Sequence, residues 1–89
     1  MNEKQKLDPS TAADRAAFAT LLQSADGRRV LWRVLSLAGT LRLSYVAGCP
    51  EQTAFNEGRR SIGLEIMGLL IKIDAHAYQR MMLENTETP

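Results

Sequence analysis

Two short stretches carry the residues most able to do chemistry. One reads Asp26-Gly-Arg-Arg and the other Glu57-Gly-Arg-Arg, and each leads into an apolar run with helical spacing. Adjacent arginines can grip a phosphate or carboxylate through paired hydrogen bonds, and a helix N-terminus adds its dipole to that attraction. Arg28, Arg29 and Arg33 fall near the start of one expected helix, and Arg59 and Arg60 would join them if the two helices were neighbours. That chemistry suits nucleic acid or a phosphorylated ligand. The competing reading is structural. An acid at i and an arginine at i+3 can pair on one helix, as Asp26 with Arg29 and Glu57 with Arg60, but such exposed pairs contribute only about 0.2–0.5 kcal/mol. Gly58 inside a helix costs about 1 kcal/mol against alanine. A close helix crossing near Gly27 and Gly58 would offset that cost and let Asp26 and Glu57 each reach an arginine on the other helix. The spacing favours these helix ties, because the chain carries a formal charge of only +1 and shows no basic stripe interleaved with aromatics.

Catalytic arrangements are absent from the pattern. His76 has no Ser, Cys or carboxylate at a telling spacing, and Asp74, two residues away, reads better as a helix cap. Cys49 stands alone, so no internal disulfide is expected and a reducing compartment is the simpler reading. One cysteine and one histidine do not make a zinc motif, and no glycine-rich phosphate loop or pair of catalytic acids is present. The expectation is a protein that is not an enzyme and needs no cofactor or metal. Trp32 lies beside an apolar stripe and reads equally as the edge of a small core or as an aromatic anchor for another subunit.

The elements that position these residues follow from periodicity and caps. The 89 residues make one domain with a limited core, 45% hydrophobic. Arginine outnumbers lysine eight to three, and between Asp26 and Arg60 six arginines (28, 29, 33, 42, 59 and 60) face three acids; that preference suits bidentate ion pairs and phosphate. Residues 1–8 read as a polar tail, 9–84 as a single helical domain and 85–89 as a frayed end. A first helix starts at Asp8-Pro9-Ser10, or one step on at the capping box Thr11-x-x-Asp14, and runs to about Gln23 with Phe18, Leu21 and Leu22 inward. Ser24 caps a second helix to about Ala38, with Leu31, Val34, Leu35 and Ala38 buried and Gly39 at its end. Thr40 to Pro50 alternates with period two but lacks a partner strand, so it reads as an extended connector. The third and longest helix starts at Pro50 or Thr53 and ends near Asp74, burying Phe55, Ile62, Ile66, Leu69, Leu70 and Ile73. Asp74 caps a short fourth helix with Tyr78, Met81, Met82 and Leu83 inward. The fold class expected is all-α, three main helices plus a short fourth. The apolar stretch Ile62 to Ile73 is too short to span a bilayer, and the N-terminus lacks the apolar segment of a signal peptide.

The run Thr53-Ala-Phe-Asn-Glu-Gly-Arg-Arg-Ser-Ile-Gly resembles the F-N-E-G-R-R-x-x-G signature of small helical proteins of tailed bacteriophages, typified by an open reading frame of a Bordetella phage. The likeness takes in Gly27-Arg28-Arg29-Val30-Leu31-Trp32 upstream and Asp74-x-x-x-Tyr78-x-x-Met81 downstream, covering about residues 15–84. The resemblance implies a phage-encoded protein of the kind found among virion and head-assembly genes. It is expected in the host cytoplasm during infection or in the virion, with larger phage structural proteins or further copies of itself as partners. It supplies no catalytic residue. The alternative expectation is an accessory binder whose clustered arginines hold nucleic acid or a phosphorylated nucleotide.

Overall fold

The computed structural model describes residues 11–86. The expected tail at 1–8, the Asp8-Pro9-Ser10 start signal and residues 87–89 lie outside them. Four helices follow in order: α1 Ala12–Leu22, α2 Ala25–Leu37, α3 Pro50–Ile73 and α4 Ala75–Asn85. The described residues contain no strand, and the fold is all-α.

Local chemistry sets the helix boundaries. Thr11 and Asp14 form a reciprocal capping box, with the Asp14 N–H donating to Thr11 Oγ1 and the Thr11 N–H to Asp14 Oδ2, both at 3.1 Å. Ser24 Oγ accepts from the Gly27 N–H at 2.9 Å, so α2 restarts almost at once after α1. At the end of α2, Gly39 adopts a left-handed conformation with φ 69. The Gly39 N–H then donates to Ser36 O at 3.0 Å and the Thr40 N–H to Leu35 O at 3.2 Å, which is the Schellman termination. Pro50 occupies the first turn of α3, where a missing N–H costs nothing. Asp74 ends α3 and caps α4 by accepting from the Ala77 N–H at 3.0 Å.

The core is small: Leu22, Leu31, Leu35, Leu70, Tyr78 and Met81, with Phe18, Trp32, Ile66, Met67, Ile73, Ala77 and Met82 packed around it. Several expected faces are turned. On α2 the buried line is Gly27, Arg28, Leu31 and Leu35, and Val34 is exposed. Leu21 on α1 and Leu83 on α4 also face solvent. Asn85, expected to fray, is the buried last residue of α4, and its Nδ2 donates to Met81 O at 2.8 Å.

The largest departure is in α3. At 24 residues it is about 36 Å long, roughly twice the length of any other helix. Its neighbours cover only the C-terminal half, so no residue of α3 before Gly63 is buried. Phe55 and Ile62, expected in the core, are 61% and 59% exposed. In the C-terminal half Ile66, Leu70 and Ile73 meet the core as expected, whereas before Gly63 the partly buried line is Thr53, Asn56 and Arg60, polar where an apolar face was expected. The polar start is met by the connector rather than by a helix. The Val46 N–H donates to Thr53 Oγ1 at 2.8 Å, and Asn56 Nδ2 donates to Ser44 O at 3.1 Å.

Candidate functional site

The two arginine motifs do different jobs. In the first, Gly27 lies directly under the end of α1. A Cβ there would run into the Leu21 backbone carbonyl, so glycine lets Ser24 turn the chain so tightly. Arg28 is buried, at 4% exposure. Its Nε donates to Glu84 Oε1 at 2.7 Å, Nη2 to Glu84 Oε2 at 2.9 Å and Nη1 to Leu22 O at 2.8 Å. One guanidinium thus fastens the start of α2 to the ends of α1 and α4, in the fork geometry that only arginine offers. The hydrogen bond to Glu84 raises the Arg28 pKa, against the opposing effect of burial. The hydrogen bond from Arg28 likewise holds the Glu84 carboxyl below its ordinary value, with smaller help from the Arg28 and Arg80 charges. Arg80 completes the cluster at 3.3 Å from Glu84.

In the second motif, Glu57 pairs with Arg60 one turn on, at 3.1 Å. Ser44 Oγ donates to Glu57 Oε2 at 3.4 Å. Arg59 donates to Leu37 O at 3.4 Å and to Asn56 Oδ1 at 3.3 Å, with its guanidinium 5.4 Å from the centre of the Phe55 ring. These contacts tie the connector and the end of α2 to the projecting half of α3.

The expected helix crossing near Gly27 and Gly58, with Asp26 and Glu57 each reaching an arginine on the other helix, is therefore corrected. Glu57 stays on its own helix, Asp26 is exposed, and no atom lies within 4 Å of where a Gly58 Cβ would stand. The close approach is at Gly63, where a Cβ would press into Thr40 Oγ1 and come within 3.0 Å of Ala38 Cβ. Glu84, the partner of Arg28, carries no local signal in the sequence. Its signal was indirect: once Arg28 is on the buried face, a countercharge on another helix is required.

Among the described residues, two surfaces offer a place for a partner or ligand. Around the projecting half of α3, Phe55 and Ile62 are exposed together with Leu37, Leu43, Tyr45 and Val46. The hydrogen bonds of Arg59, Thr53 and Asn56 hold those segments against the same stretch of helix. The second surface is a pair of adjoining clefts that share Trp32, Ser36 and Arg42. Arg29, Arg33 and Asp26 line one of them. Trp32 is half-buried, so it serves both as core edge and as cleft wall.

No helix among the described residues is long and apolar enough to cross a membrane. No curated protein and no solved structure matches the chain. The model of the family described as Bbp19-like phage protein matches residues 18–83, nearly the span over which the phage resemblance runs. With its two arginine motifs, the second helix and the long third helix all inside that match, the chain belongs to the Bbp19-like phage proteins.

Proposed function

We propose that this phage protein is a non-enzymatic virion or head-assembly component that docks onto a larger phage protein through the uncovered face of α3 and the connector. The observation that carries the reading is the exposure of Phe55 and Ile62 on a helix half in which no residue before Gly63 is buried. Leu43 and Tyr45 stand out from the connector beside it, 85% and 64% exposed. Covering a large apolar side chain is worth roughly 1.5–3 kcal/mol, and clustered exposure of this kind marks interaction surfaces. Aromatic residues and arginine are the side chains that anchor protein interfaces, and Phe55 under Arg59 offers both at one point. The projecting helix is already braced by connector hydrogen bonds, so docking would not have to order it first.

Mass spectrometry of purified phage particles and of their empty capsid intermediates tests this reading. The chain is expected in one or both at a fixed ratio to the major structural proteins. Its absence from both would remove the proposal.

A further inference from the structure

The adjoining clefts on the α2 side join an apolar wall to a positively charged one. The first, about 380 Å³, is lined by Trp32, Leu35, Leu41, Met67 and Tyr78, a size and character typical of small-molecule sites. The second, about 640 Å³, opens beside it and presents Arg29, Arg33 and Arg42 against the single carboxylate of Asp26. Trp32 and Arg42 stand at the junction of the two. Arg28 is spent inside the fold on Glu84 and Leu22. Arg29 and Arg33, one turn apart on α2, are exposed and form no ion pair among the described residues. Arg42 donates to the Ser36 carbonyl, which places it across the same opening. A planar apolar group therefore has a place to lie, and an anion has one directly next to it.

We propose that this double cleft binds a nucleotide, with the base against Trp32 in the apolar part and the phosphates among Arg29, Arg33 and Arg42. Guanidinium groups match phosphate oxygens in geometry as well as charge, and a base stacked on an aromatic side chain gains roughly 1–3 kcal/mol. The site is independent of the docking face on α3, so either can fail without the other.

Isothermal titration with ATP, inorganic tripolyphosphate and a short single-stranded oligonucleotide provides the test. The wild-type chain is expected to bind ATP saturably and about tenfold more tightly than tripolyphosphate, the difference being the stacked base. The Arg29→Ala/Arg33→Ala variant should weaken ATP binding by more than about tenfold while melting at the wild-type temperature, since both side chains are exposed and form no ion pair among the described residues. Leu41→Gln, a neutral polar change at an exposed rim position, should weaken ATP binding and leave tripolyphosphate unchanged. Absence of saturable ATP binding would overturn the proposal. So would equal affinity for ATP and tripolyphosphate, tighter binding of the oligonucleotide than of ATP, or an arginine variant that binds like the wild type.

Discussion

Gly63→Ala is the substitution whose sign the packing decides. Helix propensity alone favours alanine over glycine by about 1 kcal/mol in a helix interior. Here the added methyl would meet Thr40 Oγ1 far inside contact distance and Ala38 Cβ at 3.0 Å. Neither can move cheaply. Thr40 is 2% exposed, its Oγ1 donates to Leu35 O at 2.8 Å, and its own N–H closes the Schellman turn on the same carbonyl. Ala38 is the C-cap of α2. The methyl must therefore push α3 away from the end of α2, an overpacking cost near the upper end of 1–3 kcal/mol. Subtracting the propensity gain leaves a loss of about 2 kcal/mol, or roughly 10 °C of melting temperature for a domain of this size. Gly58→Ala, five residues earlier on the same helix with open space around it, should instead raise the melting temperature by roughly 5 °C. Thermal unfolding followed by far-ultraviolet circular dichroism measures both. In the double variant with Thr40→Ala the two losses should combine to less than their sum, because the clash is relieved. A Gly63→Ala protein that melts at or above the wild-type temperature would refute the account of the α2–α3 contact.

Other perturbations test the remaining contacts. Glu84→Gln should lower the melting temperature at neutral pH, and Arg28→Ala should lower it further by also leaving the Leu22 carbonyl without its donor. Because the Glu84 carboxyl titrates below its ordinary value of 4.5 in the fold, its stabilisation is fully present above that value and disappears as pH falls through the lowered one. The difference in melting temperature between wild type and Glu84→Gln should therefore shrink on acidification; a constant difference would contradict the ion pair. Burial pushes the Tyr78 phenol above its ordinary 10.0, so stability should fall as pH rises past that value, and Tyr78→Phe should remove this component of the alkaline loss. Leu70→Ala, at a fully buried position, should cost about 2–5 kcal/mol in denaturant unfolding. Leu83→Ala, 78% exposed, should stay within about 0.5 kcal/mol.

What could be read from the sequence was the part governed by nearest neighbours along the chain. Thr11, Ser24, Gly39 and Asp74 act within one turn of themselves, and each sits where its chemistry places it. Facing was harder, because periodicity locates an apolar stripe without saying how much of it a neighbour covers. On α3 the stripe through Phe55, Ile62 and Ile66 is continuous in sequence, yet helices of 11 or 13 residues cannot cover one of 24. The connector took the polar line through Thr53 and Asn56 instead and left Phe55 outside. The arginine motifs show the same limit. Glu57 with Arg60 is local and was visible, whereas Arg28 with Glu84 joins positions 56 residues apart and depends on the rotation of α2. The rotation puts Arg28 inward and Arg29 and Arg33 outward, so one motif contributes both a structural tie and a free cationic surface.

The most direct test of the docking face is to complement a phage lacking this gene with the wild-type chain or with Phe55→Glu/Ile62→Glu. The chain is then quantified by mass spectrometry in purified particles and capsid intermediates. Both side chains are exposed, so the variant should fold and melt like the wild type. The account predicts incorporation of the wild-type chain at a fixed ratio to the major structural proteins, with loss of most of it for the variant. Equal incorporation of a folded Phe55→Glu/Ile62→Glu protein would contradict the assignment of this face.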